Sequence, residues 1–402
     1  MRIILLYIIL SITLTASADN SKLSQKQFKK DIATVKANLK ADKDLEKCET
    51  TLRKYLSDSL FAQDKGAHLL LTECIRKQYA VGNEKMYLKE KVDTAAIVRT
   101  NIRLFLAMEA LDSIDAMPDA KGNVAPSYRK KHAEMLLPLW GNLLKGGIFF
   151  FAHSMWNDAW GCFDSYLDCH KQPLFTAEKL DSTQYGFASF LAVMSAYNKK
   201  ELPKAMKYAD GAITYMPRRE MTLQKLADLC AEKKDTANYL RFLERGNDEY
   251  PHSGYFFPNL IDYYCSIKKY DKALVYADNA IKQDSLNMTF LSARHNVLMM
   301  LHRYDEALED GINLLHFNDA LPIPNYNVAC IYYEKAQETM KQSDKSFRLR
   351  MKEAQKYYKL CLPYMERYRK LMPKDTTLWR PVLYDVYLNL NMGKEFDSLP
   401  KE

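Results

Sequence analysis

The side chains able to do chemistry are present but scattered. His295 and His302 stand seven residues apart; on a helix that is a rise of about 10 Å, too far for both to reach one metal ion. Each therefore reads as a surface or turn histidine. Trp156 and Trp160 are four apart, a spacing that could stack indoles on a sugar ring but more simply packs them into a helix core. Glu306 and Glu309 read as the solvated face of a helix. There is no glycine-rich phosphate loop, nucleophile elbow or zinc-protease helix, and 13 glycines in 402 residues leave little for such loops. No catalytic residue, cofactor or metal is expected, which leaves a binding surface as the class of function.

The eight cysteines follow no CxxC or short-spaced framework, in a chain long enough to build its own core. Cys162 and Cys169 lie seven apart on an expected helix, hence about 10 Å along its axis against a limit of about 7 Å for the Cα atoms of a bridge. They are not expected to pair. Cys230, Cys265, Cys330 and Cys361 fall on apolar helix faces and read as buried free thiols.

The chain opens MRIILLYIILSITLTASADN: a basic Arg2, an apolar run from Ile3 to Ala16, then Ala16-Ser17-Ala18 before Asp19. That order is a cleavable secretory signal over residues 1–18. Its apolar run has 14 residues, where a membrane span needs about 20. No cysteine follows to accept a lipid, and no later stretch is expected to cross a bilayer. The mature chain is thus expected to be soluble and exported, most simply to a bacterial periplasm. Cleavage removes Arg2 alone from the charged residues, so the net charge goes only from +8 to +7. Basic residues alternate with acids, as in KKDTANY and KKYDKAL, which is the pattern of a solvated helix surface and not of a nucleic-acid face.

The elements that carry these residues repeat. LPKAM at Leu202, TANYL at Thr236, YDKAL at Tyr270 and YDEAL at Tyr304 each begin 34 residues after the last. Around each, apolar residues recur at spacings of three and four in two helix-length segments joined by a short polar turn such as IKKYD or LHRYD. One helical hairpin cannot bury its own apolar face, so such hairpins must stack. A further copy, GGIFFFAHSMWNDAWGCFDSYLDC, puts Gly147, Phe150, Trp156 and Ala159 in register but 12 residues out of phase, which a polar insertion near residues 173–184 accounts for.

The 34-residue period, with Ala205, Ala212 and Pro217 and again Ala273 and Ala280, resembles the tetratricopeptide repeat family, whose unit is a helix-turn-helix with small residues where its helices cross. Tyr239 stands where a small residue is usual, and Arg294 and His295 replace an apolar and a small one. The resemblance implies an all-α, right-handed superhelical solenoid of stacked hairpins with almost no strand. Residues 19–138 read as N-terminal hairpins, 139–173 as a repeat-like unit, 174–185 as an insertion, 186–321 as four units, and 322–402 as an extended unit with capping helices. Within that last part Phe347, Met351, Ala354, Tyr358, Cys361, Met365, Tyr368 and Met372 alternate by four and three, the seam of a helix of about 26 residues; Pro363 lies off the seam as a candidate kink. The whole is similar to exported repeat proteins of Bacteroidetes of undefined role.

In the tetratricopeptide family the first helix of each unit lines a concave groove. Carrying those positions over implies a groove of Tyr197, Asn198, Asp228, Glu232, Asp262, Asn296, Tyr333 and Glu334, a mildly acidic trough across residues 186–335 with tyrosine at both ends. The family's lysine and asparagine clamp for a peptide carboxylate is absent. The implied function is a non-catalytic scaffold for a protein or peptide partner of the cell envelope, a basic segment being favoured, with neither nucleic acid nor a membrane span. An oligosaccharide is the alternative partner, suggested by 27 Tyr, 17 Phe and 4 Trp; an enzyme comes after both.

Overall fold

A computed structural model describes residues 25–175, 180–344 and 346–400. The leader expected over residues 1–18 lies outside the described residues. Among the described residues there are 19 α-helices and no strand. Contacts divide the chain into two compact units, one reaching Tyr239 and the other starting at Leu240. The expected trough over residues 186–335 spans that boundary.

The first unit opens with three hairpins: α1 (Gln25–Lys40) with α2 (Leu45–Leu56), α3 (Lys65–Tyr87) with α4 (Thr94–Asp115), and α5 (Arg129–Ala152) with α6 (Trp156–Cys169). Aspartates start two of these helices: Asp64 accepts from the Ala67 amide at 2.7 Å and Asp93 from the Ala96 amide at 3.1 Å, filling donors that a helix start leaves open. Helix α5 runs through the boundary expected at residue 138, because His132, Leu136, Trp140 and Leu143 already form a buried stripe at spacings of four and three. By length and composition alone α5 is long and apolar enough to cross a membrane, which corrects the expectation that no later stretch would be. Part of its apolar content is core, with Gly146, Gly147 and Phe150 buried as well, while Leu137 and Ile148 are exposed.

The insertion is not wholly polar either. A 3-10 turn, Pro173–Phe175, buries Leu174 and Phe175, and the Phe175 ring stacks 5.7 Å from Trp140 and 6.1 Å from Phe105. Helix α7 (Ser182–Asn198) then begins inside the segment expected to be inserted, followed by α8 (Leu202–Lys207), α9 (Ala209–Thr214) and α10 (Arg219–Glu232). Helices α8 and α9 are one second helix interrupted at Tyr208, a buried residue at φ −120° whose hydroxyl donates to Asp164 Oδ1 at 2.7 Å.

Helix α11 (Thr236–Glu249) contains the boundary. The second unit continues with α12 (Phe256–Ser266), α13 (Tyr270–Gln283), α14 (Met288–Met300) and α15 (Tyr304–Phe317), then α16 (Pro322–Lys341), α17 (Phe347–Leu371), α18 (Thr376–Asn389) and α19 (Gly393–Asp397). Each repeated phrase starts a helix: Leu202 begins α8, Thr236 α11, Tyr270 α13 and Tyr304 α15. The turn before each is also the same. Lys200, Lys234, Lys268 and His302 are left-handed, at φ 57°, 60°, 57° and 58°. The next amide in each case bonds back to the carbonyl five residues earlier, from Glu201 to Ala196, Asp235 to Cys230, Lys269 to Tyr264 and Arg303 to Leu298, at 2.8 to 3.0 Å. This reversal satisfies carbonyls that a helix end leaves open. Ala205, Ala212, Ala273, Ala280 and Ala307 are buried where paired helices meet. Each unit, among its described residues, is therefore built of paired α-helices on a 34-residue repeat.

Helix α17 has 25 residues and buries Ala354, Tyr358, Cys361, Met365 and Tyr368. The seam runs out at its ends, where Phe347 and Met372 are exposed. The helix packs along α16, with Gln337 donating to the Tyr358 hydroxyl at 2.9 Å and Arg350 to the Met340 carbonyl at 2.8 Å. Pro363 lies within it on the exposed side. All eight cysteines are free thiols; Cys265 and Cys330 are half-buried, not buried as expected.

Candidate functional site

The eight implied groove residues fall on related positions. Asp228, Asp262 and Asn296 follow one another at 34-residue steps, and whole numbers of such steps relate Asn198 to Glu232 and Glu334, and Tyr197 to Tyr333. Residues at i, i+3 and i+4 share one helix face, so these three rows belong to a single face of the first helices α7, α10, α12, α14 and α16.

In the first unit that face is charge-balanced, which corrects the expectation of an acidic trough there. The Lys225 ammonium lies 4.9 Å over the Tyr197 ring, 3.3 Å from its hydroxyl and 3.4 Å from Asp228 Oδ2. Partial burial works against the Lys225 charge, yet Tyr197 and Asp228 together hold its pKa above the ordinary lysine value. Glu232 lies 3.1 Å from Lys200 and 3.8 Å from Lys233. The Asn198 amide donates to the Met194 carbonyl at 2.8 Å. Tyr197 is thus half-buried under a lysine, not an open anchor. The cause is partly local, Lys225 standing three residues before Asp228, and partly tertiary, since Lys200 reaches Glu232 from the neighbouring hairpin's turn.

In the second unit Asp262, Asn296 and Glu334 are exposed, and no hydrogen bond or ion pair engages their side chains among the described residues. Exposed Met300 lies in the same row as Glu334, one 34-residue step before it. Tyr333 behaves differently from the expectation. Its hydroxyl donates to Asp385 Oδ2 at 2.5 Å, and its ring lies 6.2 Å from that of Tyr358. Burial first, and Asp385 next, push its phenol far above the ordinary tyrosine range. Tyr333 therefore ties α16 to α17 and α18 and is not free to anchor a partner.

His295 is the clearest departure from the sequence reading. It is fully buried, with Nδ1 2.7 Å from the Ala307 carbonyl and Nε2 3.0 Å from Asn327 Nδ2. Room for the ring comes from Gly311, where an added Cβ would lie 2.9 Å from His295 Cε1. Burial lowers the His295 pKa below the ordinary histidine value. Beside it Arg294 forks onto buried Asp310 at 2.7 and 2.5 Å. One and two repeats earlier the positions of Arg294 and His295 are Leu260 and Ile261, then Leu226 and Ala227, so this hairpin closes on hydrogen-bonded polar side chains where its neighbours use apolar ones. A signal was available in the sequence: His295 and Gly311 are an oversized and an undersized residue on the two helices of one unit. His302, by contrast, is exposed in its turn, and Glu306 and Glu309 are exposed as expected.

Neither tryptophan of the Trp156 and Trp160 pair is fully buried, and neither is an open platform. Trp156 packs edge-on against Phe151 at 5.1 Å. Trp160 lies beneath the ammonium groups of Lys204 and Lys207, at 4.8 and 5.4 Å. Among the described residues no three His, Cys, Asp or Glu side chains gather into a metal-holding group.

No family model matches the chain, and no curated protein matches it. Solved structures do resemble it. The C-terminal part of a TPR repeat-containing protein from Cytophaga hutchinsonii is 12% identical, covers 63% of this chain and 90% of its own, and has a TM-score of 0.39. MamA of AMB-1 is 15% identical over 47% of this chain and 92% of its own, with a TM-score of 0.33. Yeast Tom70 is 13% identical over 90% of this chain and 89% of its own, with a TM-score of 0.31. These likenesses say nothing of what this chain binds.

Proposed function

We propose that this chain is a non-catalytic scaffold, exported to the periplasm with its leader removed after Ala18, whose first-helix face holds an extended or helical segment of another envelope protein. The observation that carries the reading is the exposed face of Asp262, Asn296 and Glu334, repeated on successive first helices of the second unit. Stacked hairpins present such a face with little ordering cost on the receptor side. Two carboxylates without side-chain partners among the described residues favour a basic segment, acting on encounter rate and specificity more than on affinity. Met300 adds an adaptable apolar contact in the same row. Glycan binding has less to rest on, because Trp156 and Trp160 are covered by Phe151 and by two lysines.

Affinity capture from envelope extract tests the face, comparing wild type with Asp262→Lys plus Glu334→Lys at matched thermal stability. The partner is expected to be lost from the variant. Equal retention by both proteins would show that the face is wrongly assigned. Mass spectrometry of a periplasmic fraction tests the export step: the mature chain should start at Asp19, and a retained leader would refute that part of the reading.

A further inference from the structure

A second surface of opposite charge lies in the first unit, at the turns and not on the helix faces. The turn between α7 and α8 carries exposed Lys199 and Lys200, and the turn before α11 carries exposed Lys233 and Lys234. Between them is an open depression of about 440 Å³ lined by Lys200, Glu201, Leu202, Pro203, Lys204 and Lys233. Its wall is almost wholly apolar, formed by Leu202, Pro203 and lysine stems, so the ammonium groups form the rim.

That rim is incompletely neutralised. One carboxylate, Glu232, serves both Lys200 and Lys233. Lys204 pairs with Glu201 at 2.5 Å while lying over Trp160, and among the described residues Lys199 and Lys234 make no ion pair. The turn backbone is strained as well. Lys200 and Lys234 occupy left-handed positions, where a side chain costs about 1–2 kcal/mol and glycine is the usual residue. The same position is Lys, Lys, Lys and His in the four 34-residue units.

We propose that this lysine-rimmed depression is a docking notch for an acidic peptide segment carrying an apolar side chain. Its carboxylates meet Lys200 and Lys233, and the apolar group seats over Leu202 and Pro203. A peptide fits better than an anionic membrane surface, because Glu201 and Glu232 sit among the lysines and would repel a continuous sheet of headgroups, whereas a segment can space its carboxylates between them. The inference does not rest on the acidic face of the second unit, which would select a segment of the opposite charge.

The test uses the full mature chain with three probes: a labelled peptide alternating Glu and Leu, its Lys-for-Glu counterpart, and vesicles of phosphatidylglycerol with phosphatidylcholine. The Glu peptide is expected to bind, to weaken as salt rises, and to change Trp160 emission by drawing Lys204 away. Lys200→Gly with Lys233→Ala should weaken it about tenfold. Because Lys200→Gly relieves a strained turn, that variant should be no less stable than wild type, so its loss of binding cannot be misfolding. Lys200→Arg should retain binding. Equal affinity for the Lys peptide, or undiminished binding by the Gly/Ala variant, overturns the proposal; binding to vesicles without binding to the Glu peptide overturns the peptide assignment in favour of a membrane surface.

Discussion

The recurring left-handed turn makes a prediction in which one substitution has opposite signs at two places. Lys200, Lys234, Lys268 and His302 sit at φ 57° to 60°. An L-residue there costs about 1–2 kcal/mol relative to the right-handed region, while glycine returns about 0.5–1 kcal/mol of that as extra freedom in the unfolded chain. Replacement by glycine should therefore stabilise by about 0.5–1 kcal/mol per turn. Among the described residues Lys200 is the only one of these lysines whose side chain is paired, and its contact with Glu232 is well exposed on both sides and contributes little. The four turns lie in different hairpins, so their effects should add to about 2–4 kcal/mol. The control is Lys356→Gly on the exposed side of α17, which should cost about 0.7 kcal/mol because a glycine inside a helix loses more entropy than lysine. Urea unfolding followed by circular dichroism, read as a change in midpoint at constant slope, measures both. A loss of stability on Lys234→Gly or Lys268→Gly, or a gain on Lys356→Gly, would refute the conformational argument.

Gly246→Ala should destabilise the second unit by about 1–3 kcal/mol, since its new Cβ would lie 2.2 to 2.5 Å from buried Phe256 ring atoms; an unchanged melting temperature would contradict the close approach. Asn101 is buried with neither Nδ2 nor Oδ1 hydrogen-bonded among the described residues, so Asn101→Leu should raise the urea midpoint by the equivalent of about 1–3 kcal/mol, and a fall would mean the amide is satisfied. Burial lowers the pKa of both His295 and His132. The unfolded chain then takes up these protons first, so stability is full above about pH 6.5 and is lost as pH falls below it, by up to about 1.4 kcal/mol per pH unit for His295. Unfolding midpoints compared across pH 5 to 8 should show that slope reduced by His295→Gln, and an unreduced slope would place its origin elsewhere.

Local features of the chain were legible before any folding was known. Helices α8, α11, α13 and α15 start at Leu202, Thr236, Tyr270 and Tyr304 because a repeated phrase carries the same turn and the same three-and-four apolar spacing each time. The middle of the α17 seam was legible for the same reason. Pairings across hairpins came from packing alone. Lys200 reaches Glu232 and Tyr333 reaches Asp385 over 32 and 52 residues, distances at which no periodicity records which side chains meet. Those contacts close two tyrosine and acid positions that the repeat pattern alone left open to a partner, and they leave Asp262, Asn296 and Glu334 exposed. His295 shows the same division: its place in the repeat was readable, but its burial depended on Gly311 being carved out opposite it. Periodicity is a property of one helix at a time, whereas the charge and openness of a face depend on the neighbour packed beside it.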